Sequence, residues 1–436
     1  RRENRAVPSR PQITGEGADP FFPDGAALSN GAYRLLVTAN GMSRASCGTL
    51  IPYRSARTPW EDAPGIALWA ESGGVRQPLL PKPGEKGALR RRFTAGEAHL
   101  AGQSGDLLWE MRCTVSRAYP GELRRLRLRS GKAAPDAVIF GFEPVLLDTR
   151  DYAAHPAFAR LGLCTSVRSG VLIVYRAPRG NQGAQYLALA CSGEAGFSSD
   201  FRQFPARGGA GEFRENTGWQ NEPYIAARLP LPEGSACEIA LALCVAGDAD
   251  TAARGAREML RESSGFAMAD AAAAVWGMES GESAAAMEYL RALTFPQLCA
   301  EGRALPGGTR DALWRLGISG DLPVMVFDGG ENGTEAALRE LRRHALLGAC
   351  GVEYDLVFLT APAGDYRNEQ RAAIETALEA MRLSETLSLP GGVYFAFRGE
   401  REALLAAAAL FGDAAGTSLP AVRARALRLP PAAEKE

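Results

Sequence analysis

Residues 314–327 read Trp-Arg-Leu-Gly-Ile-Ser-Gly-Asp-Leu-Pro-Val-Met-Val-Phe. The turn Gly317-Ile318-Ser319-Gly320 delivers the backbone into an apolar run, 322–327, that reads as a strand buried on both faces. Continuous runs of this kind belong to sheets covered on both sides, most of them parallel. Before Gly317 the chain reads as antiparallel β followed by helix. After it, strand and helix alternate. The turn marks a change of architecture.

Downstream of the turn, 334–347 reads as a helix, 354–359 as a second apolar strand and 368–382 as a second helix. Residues 393–398 and 400–411 complete a third strand–helix pair. A helical crossover between the first two strands favours parallel pairing with a right-handed connection. Neither Gly-x-Gly-x-x-Gly nor a Walker sequence occurs, so no nucleotide site is signalled.

Upstream, short apolar runs at 33–38, 65–70, 107–115, 122–128, 137–142, 170–175, 185–191 and 237–245 are separated by Gly, Pro, Asp and Ser clusters. That density of strands predicts a large sandwich. Within 123–129, Leu126 and Leu128 fall on one face and Arg125, Arg127 and Arg129 on the other, giving one core face and one wet face. From Asp248 the composition turns to Ala, Glu and Met. Asp248 or Asp250 caps a helix reaching Arg261, a second helix starts near Ala267, and a third near Ser283 carries Met287, Leu290 and Leu293 on one face.

A net charge of −1 excludes a general nucleic-acid or anionic-membrane partner, either of which needs a basic excess. The apolar run 403–411 is far too short to span a bilayer. The eight cysteines include no Cys-x-x-Cys pair, so they read as buried free thiols in a reducing compartment. His99, His155 and His344 lie too far apart in sequence to suggest a zinc site. The chain opens Arg-Arg-Glu-Asn and closes on a loose Pro-Pro-Ala-Ala-Glu-Lys-Glu, so it is expected to be a piece of a longer polypeptide.

Three segments carry a resemblance: Leu-Ser-Asn-Gly-Ala-Tyr-Arg-Leu-Leu-Val-Thr at 28–38, Ala-Ala-His-Pro-Ala-Phe-Ala-Arg at 153–160, and Leu-Gly-Ile-Ser-Gly-Asp-Leu-Pro at 316–323 followed by the run 346–359. In this order and spacing the chain resembles the cyclic β-1,2-glucan synthases and the related 1,2-β-oligoglucan phosphorylases of glycoside hydrolase family 94. The resemblance implies a galactose mutarotase-like supersandwich and the first sandwich–helix–α/β block of such a polypeptide. It also implies that the (α/α)6 barrel holding the family's catalytic acid lies outside this chain. The implied partners are a β-glucan or oligosaccharide and neighbouring domains of the same polypeptide. The implied location is the cytoplasm, as the cytoplasmic part of an inner-membrane protein. No catalytic residue, metal or cofactor is assigned.

Candidate binding residues come from the loops. Trp60, beside Glu61 and Asp62, reads either as a platform for a pyranose ring with carboxylates for its hydroxyls, or as cover for a sandwich edge. Trp219 lies in a similarly polar stretch, 215–222, and has the same two readings. His155, held extended before Pro156, reads as catalytic or as a structural ring bonding a loop carbonyl. Asp321, after the turn landmarks Gly317 and Gly320, caps turn amides or binds ligand. The arginines 90, 91, 92, 125, 127 and 129 read as an anion-attracting row or as a solvated strand face. The expected fold class is α+β: a linker 1–24, a large antiparallel β-supersandwich 25–247, a helical connector 248–316, a small α/β domain 317–414 and a tail 415–436.

Overall fold

The computed structural model describes residues 13–16, 25–55, 65–81, 89–131, 135–178, 183–200, 213–220, 223–232, 234, 236–278, 282–287, 289, 290, 293, 309–330, 333–360, 369–408, 410–413 and 416–418. Two compact units divide the chain. The first is Arg1–Glu288 with Ala349–Gly351, and the second is Tyr289–Gly348 with Val352–Glu436.

The first unit is antiparallel β. Its nine-stranded sheet runs β1 (Ile13–Glu16), β8 (Arg90–Phe93), β9 (Ala98–Ser104), β10 (Leu107–Val115), β11 (Gly121–Ser130), β19 (Ala236–Ala246), β16 (Gln185–Cys191), β15 (Val171–Arg176) and β14 (Leu163–Arg168). A five-stranded sheet runs β17 (Gly196–Asp200), β18 (Pro223–Pro230), β12 (Ala137–Phe142), β6 (Ala67–Ser72) and β7 (Val75–Pro78). A second runs β13 (Pro144–Asp148), β5 (Leu50–Tyr53), β4 (Ser43–Cys47), β3 (Tyr33–Thr38) and β2 (Gly25–Ser29). One continuous core joins the three, with Leu35, Tyr53, Leu68, Trp109, Leu126, Phe140, Leu189 and Leu241 among its buried members.

Alternation along β11 explains both faces of the large sheet. Leu126 and Leu128 enter the core, as the period of two requires. Followed backward, the same parity puts Arg124 and Glu122 in the core as well, both at 0% exposure. Arg124 Nε and Nη2 donate to Glu122 Oε2 at 3.0 and 2.8 Å. The hydroxyls of Tyr33 and Tyr53 donate to Glu122 Oε1 at 2.9 and 2.6 Å. Burial, then the Glu122 charge, pushes both phenols well above their ordinary range.

The opposite face of the sheet is not wholly wet. Leu123, Ala188, Ala240 and Ala242 pack under α2 (Ala249–Met259). Asp248 caps that helix by accepting the Thr251 N–H at 2.8 Å. Gly255 lets it lie close, since a Cβ there would meet Cys244 Sγ at 2.6 Å. Arg125 donates to the Leu260 and Glu262 carbonyls beyond the helix, and Arg127 to Glu238. Arg125 and Arg127 are thus partnered, and α3 (Met268–Val275) and α4 (Glu282–Met287) follow this surface.

The second unit holds a sheet ordered β22 (Val393–Phe397), β21 (Asp355–Thr360), β20 (Val324–Asp328), β23 (Leu410–Asp413) and β24 (Gly416–Ser418). The first four strands are parallel and β24 is antiparallel. Its described helices include α5 (Thr309–Arg315), α6 (Thr334–Ala349), α7 (Glu369–Ala380) and α8 (Arg401–Ala407). Both apolar runs, at 322–327 and 354–359, contain the buried parallel strands expected, β20 starting at Val324 and β21 at Asp355. One element differs. Residues 400–411 do not form a single helix: α8 stops at Ala407, and Leu410 and Phe411 join the sheet beside Met325 and Val326. An apolar run of this length fits a buried helix or a buried strand equally well, and the open edge of β20 settles it.

Gly317 and Gly320 adopt φ of 77° and 78°, the left-handed region where a glycine is unstrained. Their turn joins α5 to β20 inside the second unit, with Ile318 buried in its core. Among the described residues the Asp321 side chain accepts no amide of the turn. The residue's own N–H instead donates to Ser319 Oγ at 3.2 Å, while Asp321 is exposed. No helix among the described residues is long and apolar enough to cross a membrane.

On α6, His344 packs edge-on against Tyr354 with ring centroids 4.6 Å apart. Burial pushes it down to about 4 from an ordinary 6.5. The unfolded chain therefore takes up a proton as pH falls through 6.5, whereas the folded unit stays neutral until about 4. Stability present above pH 6.5 is lost across that window, by about 3 kcal/mol. Glu340, pushed up by burial, acts in the opposite sense at the acidic end. His344→Phe is expected to flatten the fall measured by denaturant unfolding at pH 7 and pH 4.5. An unchanged fall would refute the assignment.

Candidate functional site

The first unit contains a cavity of about 400 Å³. It forms where β5 ends and β13 begins: the Arg54 N–H donates to the Glu143 carbonyl at 2.8 Å and ties the two strand ends together. Arg54, Glu143, Val145, Tyr152, Pro156 and Arg160 are among its lining residues.

Three local features build the wall. The pairing of β13 with β5 shifts register between Pro144 and Leu147, and Leu146 there takes a φ of +49°. Such a bulge bends the strand and re-aims its side chains. Next comes α1 (Thr149–Ala154), capped by Asp148, whose Oδ1 accepts the Arg150 N–H at 2.9 Å. It brings the buried Tyr152 to the cavity. A 3₁₀ turn, Pro156–Arg160, follows, with proline at the position where a missing N–H costs nothing.

Arg176 on β15 holds this wall in place. Its Nε donates to the Val145 carbonyl at 2.9 Å and its Nη1 to Leu161 at 2.7 Å, while Nη2 donates to Ala159. One buried guanidinium thereby fastens β13 to the C-terminal end of the 3₁₀ segment.

The polar chemistry of the cavity centres on Glu143. Arg54 Nη1 lies 3.3 and 3.1 Å from its two oxygens, and Arg160 Nη2 lies 3.5 Å from Oε2. The carboxylate is mostly buried, at 11% side-chain exposure, whereas the two arginines keep 34% and 36%. Guanidinium donors and a carboxylate acceptor thus stand together beside the Tyr152 ring. Asp148, the nearest acid along the chain, is held below its usual range by hydrogen bonds from Thr49 and the Arg150 amide. It is therefore ionised, the opposite of what a general acid needs.

The residues singled out from sequence fare differently. Trp60, Glu61 and Asp62 lie outside the described residues, as does Glu222. Trp219 is 62% exposed and forms an isolated bridge with Cys164 on the β14 edge, braced by the Gly218 N–H donating to Thr165 Oγ1 at 2.8 Å. It does not line the cavity. His155 is exposed, and its ring packs on Phe158 at 5.6 Å. No hydrogen bond from that ring to a loop carbonyl exists among the described residues; the backbone N–H instead donates to Asp151 O and closes α1. The landmark at 153–160 matters through its neighbours, since Pro156, Ala157, Ala159 and Arg160 line the cavity. Arg54, Glu143 and Arg176 were not anticipated. A charged residue directly after an apolar strand, as at Arg54, or between two such strands, as at Glu143, was the available signal.

Comparison with known proteins bears on the whole of this unit. Cyclic beta-(1,2)-glucan synthase NdvB of Rhizobium meliloti (strain 1021) is 26% identical over 418 residues, covering 85% of this chain and 14% of that protein. The chain thus spans about one seventh of the relative's length. Among solved structures, a bacterial glucoamylase complexed with acarbose overlaps at a TM-score of 0.38 with 13% identity, over 59% of this chain and 36% of that one. A family GH92 α-mannosidase from Bacteroides thetaiotaomicron overlaps at 0.28 with 12% identity, over 58% and 33%. The profile of the glycosyl hydrolase 94 supersandwich domain matches residues 12–262, which include every element of the nine-stranded sheet and the cavity. With more than half of its length matched, the chain belongs to the glycosyl hydrolase 94 supersandwich domain family.

Proposed function

We propose that this chain is a carbohydrate-binding and scaffolding block of a cyclic β-1,2-glucan synthase-like polypeptide, and that by itself it is not catalytic. The observation that carries the reading is the extent of the similarity to the glucan synthase. The family profile ends at residue 262, whereas 85% of the chain aligns with the synthase, so that alignment must reach into the second unit. Kinship through both units favours the synthase over a free-standing phosphorylase.

In this reading the sugar occupies the cavity at Glu143. Arginine and carboxylate groups pair with vicinal hydroxyls, and the Tyr152 ring offers an apolar face to a pyranose. Trp60, Glu61, Asp62 and Trp219 would extend the contact to further residues of a glucan. The sandwich over 25–247 is the binding part, the helices from 248 a connector, and other domains of the same polypeptide the partners, on the cytoplasmic side of the membrane.

Glycoside cleavage or inverting phosphorolysis needs a carboxylic acid poised to protonate the leaving oxygen. Glu143 is the acid among the described lining residues, and two arginines clasp it. The purified chain, incubated with linear β-1,2-glucan with and without phosphate, is expected to release neither glucose 1-phosphate nor new reducing ends above a heat-killed control. Turnover well above that control would sink the non-catalytic half of the proposal.

A further inference from the structure

The second unit carries a site that the carbohydrate reading does not use. Its chain runs from β20 to β21 and β22 on one side, then crosses to β23 on the other side of β20. The carboxyl end of β20 is therefore a topological switch point, where open parallel sheets leave a crevice for ligands. At that end stand Asp328, Gly329 and Gly330, and Gly333 opens the sixteen-residue helix α6.

The groups gathered there are mostly donors. Ala337 makes the first helical bond, to the Gly333 carbonyl at 2.9 Å, so Gly333 occupies the cap position with no side chain to cap with. The amides of Thr334, Glu335 and Ala336 accordingly have no partner among the described residues. Gln370, in the first turn of α7, is only 9% exposed, and its amide makes no hydrogen bond among the described residues, with Nε2 fully buried. It lies against the glycine turn: a Cβ on Gly329 would sit 2.4 Å from that nitrogen. A buried donor left unpaired costs stability, so its persistence points to a missing acceptor.

The acids nearby are accounted for. Asp328 Oδ1 accepts the Gly330 N–H and Arg398 Nε, each at 3.1 Å. Glu335 turns to Arg342 at 3.6 Å. Asp413, the register partner of Asp328, is likewise not without an interaction. What remains is helix-end amides, a glutamine amide and the terminal nitrogens of Arg398, whose Nε Asp328 already takes, and that set matches an oxyanion with several acceptors.

We propose that the carboxyl edge of this parallel sheet binds a phosphate group, as the free anion or as an ester, on the first-turn amides of α6, the Gln370 amide and Arg398. The proposal concerns the second unit and does not rest on the carbohydrate reading. Isothermal titration of the full chain with inorganic phosphate, glucose 6-phosphate and UDP tests it. At least one probe should bind below millimolar concentration, and both Thr334→Asp and Gln370→Leu should weaken it about 10-fold or more. Equal binding of all three identifies the anion alone as the determinant, and binding of the esters only identifies a phosphorylated metabolite. Thr334→Asp places a negative charge where a helix start favours one, so its fold is retained even if Gln370→Leu perturbs packing. Binding of no probe at millimolar concentration, or binding indifferent to both substitutions, would overturn the proposal.

Discussion

Arg124→Met is expected to destabilise the sandwich by about 3–5 kcal/mol, because it strands an ionised Glu122 inside the core. The pair is fully buried, and the carboxylate has no water to fall back on. Tyr33 and Tyr53 would still donate to Glu122 Oε1, but Oε2 loses both guanidinium contacts. The double variant Glu122→Gln with Arg124→Met should recover part of the loss, since removing both charges removes the stranded one. Denaturant unfolding followed by the fluorescence of Trp69 and Trp109, both buried in this unit, measures it. A loss under about 1 kcal/mol for the single variant would show that the carboxylate is solvated or protonated after all.

Arg176→Met should cost roughly 3–5 kcal/mol and, unlike the first change, damage the candidate site selectively. The carbonyls of Val145, Ala159 and Leu161 would lose their shared donor, and methionine fills the space without replacing any hydrogen bond. The 3₁₀ turn Pro156–Arg160 then loses its tie to β13. Hydrogen exchange at Phe158, Arg160 and Leu161 is expected to accelerate far more than exchange at Leu126 or Leu241. Uniform acceleration across the sandwich would mean that Arg176 contributes general stability and does not position the cavity wall.

The parts legible in sequence are those governed by one periodicity at a time. The runs at 322–327 and 354–359 are apolar throughout because each strand is covered on both faces, and each was read correctly. The segment 400–411 combined two elements in one apolar stretch, and local pattern could not divide α8 from β23. In β11 the alternation was drawn from Leu126 and Leu128; carried back from Leu126 by two and four residues it would have placed Arg124 and Glu122 in the core. A charged pair on the apolar face of a strand was the signal, and it lay in plain view.

The cavity was harder to foresee for a physical reason. Arg54, Glu143 and Arg160 come from the ends of three separate elements, and the pairing of β5 with β13 and the clamp from Arg176 bring them together. His155 drew attention because it is a rare residue in a recognisable phrase. Its backbone closes α1 while its neighbours line the site. The Gln370 amide carries no sequence signal at all, because an unpaired donor is a property of packing.

Titration of the full chain with linear β-1,2-gluco-oligosaccharides, alongside an Arg160→Ala variant, tests the carbohydrate-binding role most directly. Arg160 lines the cavity with 36% of its side chain exposed, so its removal should leave folding intact. Saturable binding at millimolar affinity or better, weakened about 10-fold in the variant, is the predicted result. Absence of binding at millimolar concentration, or binding that Arg160→Ala leaves untouched, would contradict it.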